Sequence, residues 1–276
     1  MRADRFATLC LFHPASRILR ARGNGGIPIL MYHSISENSE RRRPYYNIDT
    51  PFHVFAEHMR FLHGNRYASI SLEEALEYNT SGKRCKCVVI TFDDGYRNIL
   101  EAAPELRRYG FKAIVFLPTA FIGDQPIRFN GRECLTWTEV RSLEREGILF
   151  GSHTVTHPQL IGLSTTELKE EIRRSKETIE EKLGVAVTSF CYPLAFPEHA
   201  AGFRRILRAQ LQECGYLNGV CTVIGRATSK CDRYFLSRLP VNGDDDLDLF
   251  RAKLQGGYDW LHKLQYLSKK IGWCPR

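Results

Sequence analysis

Two short groups of polar residues in this chain have the types and spacing that metal-dependent hydrolysis requires. Asp93 and Asp94 are adjacent and precede Gly95, and His153 and His157 stand four residues apart in the run HTVTH. That spacing lets both imidazoles reach one ion from a single helical turn or a tight loop. Two histidines need an anionic third ligand to make an open catalytic site, which Asp94 can supply. These residues therefore predict a divalent-metal site.

The neighbouring carboxylate fits a second role in the same chemistry. A metal ion lowers the pKa of a bound water, but that water still needs a proton acceptor, and Asp93 could serve from the same turn. Gly95 would permit the sharp bend that such a pair requires. Taken alone, Asp-Asp-Gly is more often a turn or a helix N-cap, and HxxxH is more often a surface feature. Their joint occurrence after predicted strands favours a catalytic site.

The segments that carry these residues alternate between β-branched apolar runs and helical periodicity, which is typical of βα units around a parallel sheet. The predicted strands cover residues 27–32, 88–92, 112–117, 148–152, 188–192, 217–223 and 235–241. Seven strands in one series predict an α/β fold with a closed or nearly closed barrel. Because the carboxyl ends of parallel strands meet at one rim, the polar residues there should converge. These residues are His33, Asp93, Asp94, His153, Tyr192 and Pro193.

The helical segments contain clear boundary signals. Apolar faces run through residues 52–62 and 99–106, and Ser164 with Glu167 predicts a capping box for a helix that Gly184 ends. Three regions follow along the chain: an N-terminal tail at 1–26, which lacks periodicity, a catalytic domain at 27–255, and an amphipathic C-terminal segment at 256–276.

Composition limits the possible partners. The chain has 276 residues, of which 43% are hydrophobic and 25% charged, the balance of a soluble globular protein. Its net charge is +8, but the basic residues are dispersed rather than interleaved with aromatic ones, so we expect no nucleic-acid partner. The nine cysteines are scattered without a CxxC pair, which indicates neither a zinc ribbon nor a disulfide framework.

Two features bear on location. The apolar run near the N-terminus is too short for a secretory signal, and no stretch approaches the roughly 20 apolar residues that cross a bilayer, so the sequence predicts a cytoplasmic protein. Residues 259–272 carry an apolar stripe with lysines beside it, which predicts contact with the inner face of the membrane. Packing of that stripe on the barrel is the alternative.

The motifs together resemble the polysaccharide deacetylase family, the NodB homology domain of carbohydrate esterase family four. Its first motif corresponds to TFDDGY at 91–96, its second to HTVTH at 153–157, and a degenerate third to FCYP at 190–193. The likeness covers about residues 27–245. It implies a distorted (β/α) barrel with about seven parallel strands. In such a domain Asp93 is the general base, a divalent ion, usually zinc, binds Asp94, His153 and His157, and the Tyr192 backbone N–H helps to stabilise the oxyanion.

Two departures from the family pattern matter. Cys191 and Ala195 replace residues of the third motif, which commonly has an arginine and a glycine near its YP. The run FLSRLPVNGDDD replaces a leucine-rich fifth motif whose histidine is the usual acid. The N-terminal PILMYHSIS resembles the branch with poly-N-acetylglucosamine deacetylases, in which that motif moves to the first strand, so His33 becomes the candidate general acid. Arg238 could then orient Asp93 from the last strand.

The sequence thus predicts a hydrolase that removes N-acetyl groups from hexosamine units of a bacterial polysaccharide or its lipid-linked precursor, with acetylated glycan or glycolipid as substrate. Two alternatives stay open: a metal-dependent amidase or esterase acting on a non-sugar substrate, and a non-catalytic glycan-binding descendant. The degraded third motif favours the latter, whereas retention of both aspartates and both histidines speaks against it.

Overall fold

The computed structural model describes residues 2–14, 26–37, 47–81 and 86–270. Its centre is formed by seven strands: β1 (Ile29–Tyr32), β2 (Cys87–Phe92), β3 (Ile114–Leu117), β4 (Leu149–Ser152), β5 (Ser189–Cys191), β6 (Asn218–Ile224) and β7 (Leu236–Pro240). Each strand pairs in parallel with the next along the chain. Leu30 of β1 pairs with both Ile90 of β2 and Leu239 of β7, which closes the barrel. The predicted (β/α) barrel is confirmed.

Alternation along the strands decides which side chains enter the barrel. Val89 of β2, Val220 of β6 and Leu236 of β7 belong to one buried apolar cluster inside the barrel. Side chains of a strand alternate between its two faces, so residues two or four positions further along point the same way. Asp93 and Arg238 have this parity and are 2% and 1% exposed. The strand period therefore places one carboxylate and one guanidinium inside one end of an apolar barrel.

Helices surround the barrel and follow the strands along the chain. They are α1 (Ala3–Ala7), α2 (Phe52–Gly64), α3 (Leu72–Ser81), α4 (Ile99–Arg108), α5 (Trp137–Arg145), α6 (Thr165–Leu183), α7 (Ala201–Glu213), α8 (Leu247–Leu254) and α9 (Leu261–Lys270). The predicted capping box of α6 is present, because Ser164 and Glu167 each accept the other's backbone N–H. The helix ends at Gly184, whose φ of +70° suits a residue without a side chain.

Short elements lie outside the barrel. Ser34–Ile35 pairs with Asp49–Thr50, Arg128–Phe129 forms a hairpin with Arg132–Glu133, and Ala68–Ser69 pairs with β2. Each strand is two residues long, which is too short to give a periodic signal in the sequence.

The N-terminal segment differs from the predicted tail. Residues 3–7 form α1, and a π-helical turn at Thr8–Phe12 continues it. The buried residues of this segment are Asp4 and Thr8, so it carries no apolar stripe that the sequence could reveal. The remainder of the predicted tail at 15–25 and the last residues of the amphipathic segment, 271–276, lie outside the described residues. No described helix combines the length and apolar character needed to cross a membrane.

Candidate active site

Three candidate metal ligands meet at the carboxyl ends of β2 and β4. Asp94 is the second residue after β2, and His153 follows β4 directly. Oδ1 of Asp94 lies 3.5 Å from Nε2 of His153 and 3.4 Å from Nε2 of His157. Asp94 adopts a φ of +67°, a sharp turn that brings its carboxylate to the rim beside that of Asp93. The structure therefore brings the sequence-predicted ligand set together.

The geometry and chemistry of these atoms suit a divalent ion. The three ligand atoms lie within 4.8 Å of one another. Two ligands about 2.1 Å from a tetrahedral ion stand about 3.4 Å apart, which matches both distances from Asp94. Two imidazole nitrogens and one carboxylate oxygen also form a donor set that catalytic zinc uses, with a coordination position left for water or substrate. The residues present fit such an ion.

The protonation of the ligands depends on their burial. Burial, together with the charge of nearby His153, lowers the pKa of His157 to about 4, so its imidazole is neutral at physiological pH. Burial alone would raise the pKa of Asp94, but a hydrogen bond from His153 and the charges of nearby histidines lower it below its usual value. An ionised carboxylate and a neutral imidazole are the forms that bind metal.

A backbone carbonyl fixes the orientation of His153. Its Nδ1 lies 2.8 Å from the carbonyl oxygen of Cys191 and donates to it, so Nε2 faces Asp94 and is the nitrogen that would bind an ion in exchange for its proton. The second histidine depends on a tight loop, since Thr154 and His157 have φ values of +70° and +58°. The Thr154 hydroxyl accepts a hydrogen bond from the His157 N–H at 3.0 Å and so closes the loop.

Glu171 on α6 stabilises this same loop, and the sequence analysis did not identify it. Its Oε2 accepts the backbone N–H groups of Val155 and Thr156 at 2.8 and 2.9 Å, and its Oε1 accepts the Thr156 hydroxyl at 2.7 Å. One carboxylate thus satisfies three of the donors between the two histidines. Nothing in the charged sequence of α6 distinguishes this glutamate from its neighbours.

Asp93 is held by Arg238 from across the barrel. Nη1 of Arg238 lies 2.6 Å from one carboxylate oxygen of Asp93, and Nη2 lies 2.7 Å from the other. The guanidinium also donates to the Cys221 carbonyl and to the Thr91 hydroxyl, each at 3.1 Å. Such a bidentate pair fixes both the position and the rotation of the carboxylate. The structure thus places Arg238 where it can orient Asp93.

The same pair sets the ionisation of Asp93. Burial by itself would raise the pKa of this carboxyl, but the charge and hydrogen bonds of Arg238 more than offset burial and keep the pKa well below its usual range. Asp93 is therefore ionised at neutral pH and can accept a proton.

His33 lies beside this carboxylate and outside the ligand set. Its Nε2 is 3.8 Å from Oδ2 of Asp93, which is too long for a direct hydrogen bond, and its side chain is 20% exposed. The imidazole therefore reaches the rim, next to the base, while remaining accessible to a molecule in the site.

The comparisons with known proteins agree with this arrangement. A family model described as polysaccharide deacetylase matches residues 80–217. The Bacillus subtilis protein YxkH, named as a polysaccharide deacetylase, is 32% identical over 219 residues, which cover 78% of this chain and 71% of the relative. The chain belongs to the polysaccharide deacetylase family.

Solved structures of deacetylases share the fold. Streptococcus pyogenes deacetylase PplD, solved with acetate, superposes with a TM-score of 0.72 at 22% identity. The match covers 84% of this chain and 99% of the PplD chain. IcaB from Ammonifex degensii gives a TM-score of 0.68 at 20% identity, and the match covers 84% of this chain and 98% of the IcaB chain. At these identities the similarity establishes the fold alone.

In this polysaccharide deacetylase family member, the backbone N–H of Tyr192 has a partner within the barrel. The backbone N–H of Tyr192 donates to the carbonyl of Val220 at 3.0 Å, so the pairing of β5 with β6 continues one residue beyond Cys191. The predicted oxyanion role would require this N–H to share or leave its bond to Val220 when substrate binds. The Tyr192 ring is also in the core, in edge contact with Phe196 at a centroid distance of 4.9 Å.

The degenerate third motif has a structural counterpart on β7. Cys191 lies on the third-motif strand, and its Sγ is 3.2 Å from Nη2 of Arg238 and 3.5 Å from Oδ2 of Asp93. A small thiol there leaves room for a guanidinium that arrives from β7. The resemblance predicts an arginine near this strand, whereas here the positive charge beside Asp93 comes from β7, two strands further around the barrel.

The hairpin at 128–133 adds an aromatic wall that the sequence analysis missed. The Phe129 ring meets the edge of the His157 ring at a centroid distance of 5.0 Å and stacks on Phe121 at 4.3 Å. Phe129 is 9% exposed. It limits the movement of the second histidine and excludes water from one side of it.

Proposed function

We propose that this chain is a metal-dependent N-acetylhexosamine deacetylase, which hydrolyses the acetamide of hexosamine units in a bacterial polysaccharide or its lipid-linked precursor. Membership of the polysaccharide deacetylase family supports deacetylase activity. The choice of an acetamide on a hexosamine rests on the sequence resemblance to poly-N-acetylglucosamine deacetylases and on the chemistry of the site.

The relationship between base and ligands supports hydrolysis most strongly. An ionised Asp93, 2% exposed and held at both oxygens, adjoins Asp94 in a pocket that also holds two histidines. A binding module has no need of an oriented, buried base beside a metal site, because recognition of a sugar does not require a proton acceptor. The arrangement therefore favours catalysis over the glycan-binding alternative.

Each reacting group has a proposed task. A divalent ion held by Asp94, His153 and His157, for which we propose zinc, would supply a Lewis acid that activates water and polarises the acetyl carbonyl. Asp93 accepts the proton of the attacking water, and Arg238 keeps the carboxylate ionised and directed at that water. His33 delivers a proton to the nitrogen as the C–N bond breaks.

The overall change is balanced without a further reactant. One water adds to the acetyl carbon, the amide C–N bond breaks, and the products are acetate and a free amine. The amine is a poor leaving group unless its nitrogen is protonated, so an acid is required on the side of the departing nitrogen. In this proposal, His33 meets that requirement from the rim of β1.

Release of acetate by purified protein tests this function. N-acetylglucosamine oligomers should lose acetate in the presence of zinc, and a chelator should abolish the activity until metal is restored. Acetylated xylan and a simple non-sugar acetamide, offered at the same concentration, distinguish the alternatives. Faster turnover of either one would replace the hexosamine amide with an ester or a non-sugar amide as substrate.

A further inference from the structure

Two helical segments from opposite ends of the chain pack against each other. The Phe12 and Trp260 rings stack with centroids 4.4 Å apart, and the Trp260 indole N–H donates to the Thr8 hydroxyl at 3.1 Å. Close by, the Tyr258 hydroxyl donates to the Asp4 carboxylate at 2.7 Å. These contacts join residues 3–12 to the residues that lead into α9.

Both segments present polar side chains toward the body of the protein. In the N-terminal segment the buried residues are Asp4 and Thr8. On α9, Gln265 accepts the backbone N–H of Ile224 at 2.9 Å and donates to the carbonyl of Thr222 at 2.7 Å. Surface helices of globular proteins ordinarily do the reverse, with apolar residues facing inward.

The outward faces of these segments are apolar. Phe6 and Leu11 are 50% and 59% exposed, and Leu264 and Leu267 are 52% and 50% exposed. Among the large apolar side chains of the described residues, Leu194 is the only other one that is at least half exposed. Concentration of such side chains on α9 and on the segment that contacts its N-terminal approach is unusual for a surface that meets only water.

Basic residues accompany this apolar surface. Lys263 and Lys270 are exposed on α9, and residues 260–270 contain no acidic side chain. The described N-terminal segment has two arginines, Arg2 and Arg5, which pair with Asp4, Asp245 and Asp246, so the positive charge of this surface rests on the lysines of α9. Leucine and phenylalanine flanked by lysine and arginine, with a tryptophan between the helices, match the composition of helices that lie in the headgroup region of anionic bilayers.

We propose that residues 3–12 and α9 together form a docking surface for an anionic lipid bilayer. The proposal extends the predicted contact of residues 259–272 to the other end of the chain, and it does not depend on which acetyl group is removed. The four exposed side chains enter the acyl boundary, and the lysines contact the anionic headgroups. A bilayer is favoured over a protein partner because α9 combines exposed leucines with lysines and has no acidic residue, while the half-exposed Asp246 beside the N-terminal segment is paired with Arg5.

Co-sedimentation of the full chain with vesicles tests the proposal. The parent protein should bind vesicles of phosphatidylcholine mixed with phosphatidylglycerol and bind phosphatidylcholine alone much less. A triple variant, Leu11→Ser with Leu264→Ser and Leu267→Ser, should bind the mixed vesicles at least about tenfold more weakly. The matched control is Leu149→Ser with Leu217→Ser, since those leucines are 41% and 46% exposed elsewhere on the barrel. The control should bind as the parent does.

Charge provides a second, independent variant. Replacement of Lys263 and Lys270 by glutamine retains the apolar face and should weaken binding about fivefold for each lysine. Thermal unfolding by circular dichroism verifies that each variant is folded. Equal binding of the parent and the triple variant would overturn the proposal, as would absence of parent binding to the anionic vesicles. A parent dimer that becomes a monomer in the triple variant would also overturn it, by assigning this face to a second copy.

Discussion

Arg238 and Asp93 form a buried bidentate ion pair, with N–O distances of 2.6 and 2.7 Å, although 145 residues separate them in sequence. Each residue ends up inside the barrel because its parity along its strand points it there. Asp93 is the proposed base and Arg238 touches no metal ligand, so the arginine acts by positioning and charge. In the proposed mechanism, Arg238 takes the place of the arginine that the third motif lacks.

Replacement of Arg238 should therefore affect both stability and turnover. Arg238→Met leaves a buried carboxylate unpaired, which we expect to cost about 3–5 kcal/mol of unfolding free energy and to lower kcat strongly. Arg238→Lys keeps the charge but loses the two-point contact, so we expect more stability than in the methionine variant but a kcat still well below the parent value. Chemical unfolding and acetate release check these expectations. Parent-like kcat in the lysine variant would mean that the two-point contact is unimportant.

His33→Ala tests the proposed general acid. Loss of a positioned acid should reduce kcat by about 100- to 10,000-fold, with metal content retained because His33 is not in the ligand set. Metal analysis and kinetics should be performed on the same preparation. A kcat within a few fold of the parent value would place the acid elsewhere, and exposed His199 would be tested next.

The ligand assignment predicts a clear change in metal content. His153→Ala and His157→Ala should each lose most of the bound divalent ion, because two remaining donors hold it weakly. His63→Ala is the matched control, since His63 is exposed at the end of α2. Elemental analysis of the purified proteins gives the readout. Unchanged metal content in both site variants would contradict the assignment.

Much of this site could be predicted from sequence because its residues follow barrel strands. Apolar β-branched runs predicted all seven strands, and the polar residues after β2 and β4 predicted where Asp94 and His153 would meet. His33 after β1 and Arg238 on β7 also lie beside Asp93 in the structure. These features depend on period and order along the chain, which a single sequence displays directly.

The remaining features depend on contacts that leave no local pattern. The bond from the Tyr192 N–H to Val220 could not be predicted, because the pairing of β5 with β6 extends one residue further than the apolar run of β5 suggests. The N-terminal helix was missed because Asp4 and Thr8, rather than an apolar stripe, form its buried face. Glu171 differs from other glutamates of α6 only in what lies opposite it in space.

Glu171 gives a prediction that separates positioning from general stability. Glu171→Gln removes one acceptor for three donors of the loop, so we expect metal affinity to fall about 10- to 100-fold, with kcat at saturating metal closer to the parent value. Titration of the metal-free protein with Co²⁺, followed by its visible spectrum, measures affinity and coordination together. Glu170→Gln, an exposed helix variant that loses only arginine contacts, is the control. Equal affinities for both variants would exclude a role for Glu171 in the site.

A buried histidine outside the site should govern stability in mild acid. His58 on α2 is fully buried, stacks on Phe250 at 3.9 Å, and bonds to the Tyr32 hydroxyl at 3.1 Å and the Asp245 carbonyl at 3.2 Å. The neutral ring satisfies both partners, with one nitrogen accepting and the other donating. Burial lowers the pKa of His58 from 6.5 to about 4.

The unfolded chain therefore binds a proton at His58 below a pH of about 6.5, whereas the native protein binds it only below about 4, so stability must fall as pH drops through this window. The loss should reach about 2 kcal/mol at pH 5 relative to neutral pH. His58→Gln should lose about 2 kcal/mol less than the parent over this window, with buried His157 still contributing, while His53→Gln, at a side chain 73% exposed, should lose as much as the parent. Urea unfolding at pH 7 and pH 5 provides the comparison for all three proteins. If the parent and His58→Gln lose equal stability between these pH values, the imidazole of His58 does not become charged on unfolding in this range and the source of acid sensitivity lies elsewhere.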